Sequence, residues 1–210
     1  DGYYSLNATK ANSEKELLIG DYSFNRVTKA EKSDRITFTK ESFQEFPDLW
    51  TTTLDFENPT KISDANPQMK DYKWGTVEMT SWTNLDGVEL KGLIYKPENF
   101  DPNKKYPMLV YFYEKYSDRI HRHYAPQPLR SAVNFTYMTS NDYIVFIPDI
   151  IYKDGFPGQS AYNCIMPGVQ HMINQNYINK ERIGIQGHSW GGYQTAYLVT
   201  RTNLFRAAES

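Results

Sequence analysis

The hydrophobic rhythm of the chain changes twice. Up to about residue 70, short β-prone runs alternate with polar turns. Gly2–Leu6, Glu16–Gly20, Arg35–Thr39 and Trp50–Asp55 are predicted strands, with turn signals at Glu57-Asn58-Pro59 and Asn66-Pro67. This is an antiparallel all-β pattern, and no clean repeat is legible in so short a stretch. Thr76–Trp82 and Val88–Tyr95 then flank Asn84-Leu85-Asp86-Gly87, and an Asp-Gly pair between two β-prone runs predicts a hairpin. A polar, proline-punctuated loop runs from Lys96-Pro97 to Pro107.

Beyond residue 107 strand-like and helix-like patterns alternate. Met108–Tyr113 is a continuous apolar run, the mark of a strand buried on both faces. Leu129–Met138 reads as a helix, Tyr143–Ile147 as a second buried strand closed by Asp149, and Ala161–Ile173 as a helix with Ile165, Val169, Met172 and Ile173 on one side. Arg182–Gln186 is a third strand, and Tyr193, Ala196, Tyr197 and Thr200 mark a helical face over 192–202. The alternation predicts an α/β fold, a parallel sheet with covering helices. The domain division expected is 1–70, all-β, and 71–210, α/β.

Composition narrows the function classes. With 23 Lys plus Arg against 25 Asp plus Glu, the net charge is −2. No basic run of five or more occurs, so no nucleic-acid partner is expected. Aromatics make up 15% of the chain, a high share that does not choose between sheet surfaces and binding grooves. The single cysteine, Cys164, gives neither an internal disulfide nor a cysteine-based zinc site, and it leaves the compartment open. No cofactor or metal is expected. No apolar run approaches the ~20 residues of a spanning helix, and DGYYSLNATK has neither the basic region nor the apolar core of a signal peptide. A processed or truncated N-terminus is the expectation.

The chemistry is carried by Gly187-His188-Ser189-Trp190-Gly191, followed by Gly192. Gly-x-Ser-x-Gly between a predicted strand and a predicted helix is the context of a nucleophile elbow. The turn forces the serine into a strained conformation and lifts its hydroxyl above the strand ends. Gly187, Gly191 and Gly192 keep the turn free of Cβ atoms where strand and helix converge. The helix N-terminus favours developing negative charge, and the Trp190 amide is placed to donate to an oxyanion. The bland alternative is a serine in a tight strand–helix turn without a reaction.

The segment Ile183–Tyr193, IGIQGHSWGGY, resembles the nucleophile region of the prolyl oligopeptidase family of serine peptidases. Asp86-Gly87 with LKGLIYKP at Leu90–Pro97, KYPMLVYFY at Lys105–Tyr113 and NKERIGI at Asn179–Ile185 resemble that family's entry into its catalytic domain, and Asn66-Pro67-Gln68 its passage out of a β-propeller. The resemblance covers residues from about 60 onward well, and 1–60 only as a final propeller blade. It implies an α/β-hydrolase domain, present here in part and preceded by a propeller-like segment, with serine, aspartate and histidine following one another in the chain. It also implies a peptide substrate and a tyrosine as second oxyanion donor. Tyr113 stands at the matching place, although Glu114-Lys115-Tyr116 follows it where the family commonly has small residues and proline. Trp190 would wall the pocket for the residue before the scissile bond, and Asp154–Gly158 resembles a glycine-rich loop bordering that pocket.

The chain ends at residue 210, 21 positions past Ser189. The triad aspartate and histidine are therefore expected beyond it, and the chain is read as a fragment, inactive alone, whose partner is the missing C-terminal half of the hydrolase domain. The uncovered flank of the sheet is expected to aggregate or seek a partner; a homo-oligomer stays open. His188 is read as packing, His171 as lying mid-helix, and the loop His121-Arg122-His123 is disfavoured as a base or metal site. Asp149, preceding the serine, is read as a loop-orienting carboxylate. Asn7-Ala8-Thr9 and Asn134-Phe135-Thr136 fit the glycosylation pattern, the second within a predicted helix. Two alternatives to a peptidase remain: an esterase or acyl hydrolase of the same fold, and a non-catalytic propeller-type binding protein.

Overall fold

The computed structural model describes residues 1–127 and 132–210. It forms two units, Asp1–Tyr72 with His121–His123, and Lys73–Ile120 with Tyr124–Ser210.

In the first unit β1 (Gly2–Ser5) pairs antiparallel with β2 (Lys15–Ile19). Strands β3 (Ser23–Lys29), β4 (Arg35–Glu41), β5 (Asp48–Thr53) and β6 (Thr60–Lys61) form a four-stranded antiparallel meander in chain order. Ile36, Phe38 and Phe56 are its buried centre, with Tyr3 stacked on Phe56 at 4.8 Å. Strand β3 was not predicted. Its apolar residues are only Phe24 and Val27, Val27 is exposed, and Arg26 at φ 54° sits where the pairing with β4 shifts register. A bulge of this kind breaks the alternation by which a strand is recognised.

The second unit is built on β7 (Thr76–Thr83), β8 (Glu89–Lys96), β9 (Tyr106–Tyr111), β10 (Ile144–Pro148), β11 (Ile178–Gln186) and β12 (Ala207–Glu209). They form one six-stranded sheet in the order β12-β11-β9-β10-β8-β7. The sheet is mixed rather than wholly parallel: β9 pairs parallel with β10 and β11, and β11 with β12, but β8 runs antiparallel to both β10 and β7. The hairpin thus extends the same sheet. Its loop is closed by Gly87 at φ 80°, with the Asn84 side-chain oxygen accepting from the amides of Asp86 and Val88 at 2.9 Å each.

Among the described residues three α-helices cover this sheet. Helix α1 (Phe135–Ser140) begins later than predicted, because the Asn134 side chain caps it, accepting from the Tyr137 amide at 2.8 Å. Positions 129–131 of the predicted helix lie outside the described residues. Helix α2 (Pro157–Ile173) begins earlier than predicted, since Pro157 suits a first helical turn. Pro167 within it has no amide to give to the Asn163 carbonyl, and the Leu85 amide takes that acceptor at 3.1 Å. The next carbonyl, of Cys164, accepts from the Trp82 indole at 3.0 Å. The hairpin therefore satisfies the helix where proline weakens it. A Cβ on Gly168 would stand 2.8 Å from the Trp82 ring, so glycine lets that ring lie on the helix backbone. Helix α3 (Trp190–Val199) follows β11 directly. The core between sheet and helices includes Met108, Val110, Phe112, Phe146, Ile165, Val169 and Met172, each 1% exposed or less.

Candidate active site

Strands β9 and β11 are sheet neighbours in parallel register, and their last registered pair is Tyr111 with Gln186. Adjacent strands lie about 4.8 Å apart. The chain leaving β9 reaches Tyr113 two residues on, and the chain leaving β11 reaches Ser189 three residues on. Register alone brings these two segments to the same end of the sheet.

The turn at Ser189 is tight. Ser189 has φ 55° and ψ −111°, a conformation L-residues seldom adopt, and it is exposed at the head of α3. The Gly191 amide donates to the His188 carbonyl at 2.8 Å, and the Tyr193 amide to the Ser189 carbonyl at 3.1 Å. A Cβ on Gly187 would fall 2.2 Å from the Gly191 carbonyl oxygen, and one on Gly191 would fall 2.5 Å from the Phe112 carbonyl oxygen. At Gly192 the nearest atom would be the Gly187 carbonyl oxygen at 3.3 Å, so the demand for glycine there is weaker. Trp190 supplies one of the first helical amides, which an α-helix leaves without an intrahelical acceptor. These amides and the helix dipole point toward negative charge at the serine. Trp190 is 40% exposed, with its ring stacked on Tyr193 at 5.3 Å and edge-on to Tyr152 at 6.0 Å.

Tyr113 is 38% exposed, and its carbonyl accepts from the Tyr152 hydroxyl at 2.8 Å and from the Gln194 side-chain nitrogen at 3.4 Å. The Gln194 nitrogen also hydrogen-bonds the Tyr152 hydroxyl. Tyr111 is buried between Tyr116 and Phe135, and burial, reinforced by the Tyr116 hydrogen bond, raises its phenol well above the ordinary value. Asp149 is 7% exposed and accepts from the amides of Tyr116 at 2.8 Å and Ser117 at 3.0 Å, while the Ile150 amide donates to the Glu114 carbonyl at 2.8 Å. The end of β10 thus ties down the bulky loop that follows Tyr113. This is the loop-orienting role expected of that carboxylate.

The histidines lie apart from this arrangement or play no visible part in it. His188 is exposed, against the expectation that it packs. Its neighbours in the turn, Ser189 and Trp190, are exposed as well. His171 lies within α2 and meets the Thr80 hydroxyl at 2.9 Å. His123 belongs to the first unit, edge-on to Phe46 at 5.3 Å, and burial lowers its pKa. The segment Asp154–Gly158 holds Gly155 at φ 80° and leads into α2; its Phe156, with Ile151, Tyr152, Asn84 and Asp86, lines a cleft of about 380 Å³. Sequence reasoning did not single out Tyr152 or Gln194. The available signal was a glutamine within the apolar pattern of the helix that follows the serine.

Comparison with known proteins agrees with this geometry. Residues 130–210 match the prolyl oligopeptidase family. The chain is 27% identical to dipeptidyl peptidase 8 of Mus musculus over 176 residues, covering 77% of this chain and 18% of that protein. It is 30% identical to a probable dipeptidyl-aminopeptidase B of Penicillium rubens over 157 residues, covering 68% and 16% respectively. The chain therefore spans under a fifth of the length of these relatives. Among solved structures, acylaminoacyl peptidase of Pyrococcus horikoshii superposes with a TM-score of 0.70 at 20% identity, covering 95% of this chain and 32% of that one. Dipeptidyl peptidase 4 of Porphyromonas gingivalis superposes with a TM-score of 0.71 at 19% identity, covering 98% and 30%. These likenesses show a shared fold. The sequence match to the prolyl oligopeptidase family covers residues 130–210 and takes in the strand–turn–helix at Ser189.

Proposed function

We propose that this chain carries the nucleophile-bearing part of a serine peptidase acting on short peptides by acyl transfer. Ser189 attacks the scissile carbonyl and the acyl group is held on its oxygen. The Trp190 amide and the Tyr113 hydroxyl donate to the oxyanion, where preformed donors act most strongly. The base is a histidine oriented by an aspartate, both carried beyond residue 210 in the parent protein; a serine without that pair is a weak nucleophile, so the chain alone is inactive. Residues 71–210 are the N-terminal part of an α/β-hydrolase domain, and residues 1–70 the end of a β-propeller that sieves substrates. Several relatives are named as dipeptidyl peptidases, and removal of dipeptides is the form of peptidase activity this reading favours.

The observation that carries the proposal is the backbone at Ser189: φ 55° at the exposed head of a helix, with Gly187 and Gly191 pressed against main chain. An alkyl fluorophosphonate should label the parent protein at Ser189 and stop peptide turnover, and Ser189→Ala should abolish both. Turnover of esters but not peptides would transfer the site to the acyl-hydrolase reading. No labelling at all would refute the nucleophile.

A further inference from the structure

We propose that Tyr152 and Gln194 act as positioning residues, a clamp on the backbone of Tyr113 that holds its phenol within reach of the oxyanion. The proposal rests on the assignment of Ser189 and Tyr113 above. Three separate segments meet at one carbonyl. Tyr113 follows β9, Tyr152 follows β10, and Gln194 stands in α3, five residues past the nucleophile. The Tyr152 hydroxyl donates to the Tyr113 carbonyl at 2.8 Å, and the Gln194 amide nitrogen reaches both that carbonyl, at 3.4 Å, and the Tyr152 oxygen.

The cost of this arrangement argues for a purpose. Gln194 is fully buried, in a helix whose other inward positions are Gly191, Gly192, Thr195 and Leu198. Burying an amide gains nothing over a leucine unless its hydrogen bonds are needed. Its nitrogen is used on the oxyanion-side loop, while its oxygen is buried without a hydrogen-bond partner among the described residues. Burial raises the Tyr152 phenol above the ordinary tyrosine value, against hydrogen bonds from Gln194 and Trp190 that favour the ionised form. The hydroxyl therefore keeps the proton it donates at neutral pH.

The clamp also links the two halves of the oxyanion site. Trp190, whose amide is one donor, stands edge-on to the Tyr152 ring, and Tyr113, which bears the other, is held by the Tyr152 hydroxyl. Phe112, just before Tyr113, has its carbonyl against Gly191 of the same helix. Movement of Tyr113 relative to the serine turn is opposed on both sides of its peptide unit.

The test uses the full-length parent protein with a chromogenic peptide anilide. Tyr152→Phe, which keeps the ring and removes one hydroxyl, should lower kcat by about tenfold, the effect of displacing a catalytic group by a fraction of an ångström. KM should stay within about twofold, because substrate binding does not use this carbonyl. In a Tyr113→Phe background the same change should alter kcat by less than about twofold, since no hydroxyl is left to position. Gln194→Met should repeat the pattern and carries the test if Tyr152→Phe does not fold. Wild-type kcat in both variants, or an equal loss with and without the Tyr113 hydroxyl, would overturn the clamp. Complete labelling of Ser189 by fluorophosphonate in the same variants separates that outcome from failure of the nucleophile assignment.

Discussion

Replacing Gly191 with alanine sets two effects of known size against each other. In an exposed helix the change would stabilise by about 1 kcal/mol, because alanine is the better helix former. Here the new methyl would lie 2.5 Å from the Phe112 carbonyl oxygen, whereas ordinary contact begins at 3.4 Å, so helix and strand must part by 3.4 − 2.5 = 0.9 Å. The obstacle is main chain at the end of a central strand, which cannot rotate away as a side chain can. Overpacking of this kind costs about 1–3 kcal/mol, so the net loss should be about 0–2 kcal/mol. Activity should suffer more than stability. The carbonyl that must move is one residue from Tyr113, and a misplacement near 1 Å costs about 100-fold in rate. Urea unfolding and peptide turnover of the parent protein measure the two quantities, with Gly192→Ala, whose nearest contact is 3.3 Å, as the milder comparison. A Gly191→Ala protein that is more stable than wild type and fully active would refute the packing of α3 on the end of β9.

Two further outcomes follow from the geometry. Ser189 at φ 55° and ψ −111° carries a backbone strain of the kind that costs about 1–3 kcal/mol, and glycine would relieve it. Ser189→Gly should therefore be more stable than Ser189→Ala by about 1 kcal/mol in urea, both being inactive; equal midpoints would remove the strain from the argument. In the first unit, burial would raise the Asp48 carboxyl. The 2.6 Å ion pair with Lys61 and the bonds from Ser63 and the Ala65 amide outweigh it and hold the pKa below the ordinary value. A depressed carboxyl stabilises above the unfolded-state value of about 3.9 and loses that contribution as pH falls through the folded value. Asp48→Asn should thus be less stable than wild type at pH 7, with the gap closing in acid; a gap independent of pH would contradict the pairing.

The strands that were legible in the sequence are those whose burial is one-sided or complete. The runs at 108–113 and 143–147 could hardly be anything but sheet interior, and β9 and β10 occupy them. Strand β12 was missed because Ala207–Glu209 is a short edge strand with no side chain buried. In the helix after Ser189, the stripe of Tyr193, Ala196, Tyr197 and Thr200 that marks a helical face in the sequence is exposed at all but the half-buried Tyr197, while Gln194 and Thr195 face inward. Periodicity finds the stripe but not its direction, and here the close approach of α3 to the sheet admits only small or specifically bonded residues. The serine turn was legible because its glycines answer a steric demand that no other residue meets. The clamp was not, because hydrogen bonds from Tyr152 and Gln194 to a distant carbonyl leave no spacing pattern in the chain.

The registered pairing of Tyr111 with Gln186 has a consequence for how the protein can fail. Both site segments spring from strands in the interior of one sheet, so their common footing is lost only when the sheet itself opens between β9 and β11. Inactivation by heat and cooperative melting of this unit should then be a single event, and the amides along that seam should exchange with solvent only through global opening. The hairpin of β7 and β8 ends instead at a tip that the Leu85 amide ties to helix α2, so changes there bear first on that helix and not on the turn at Ser189.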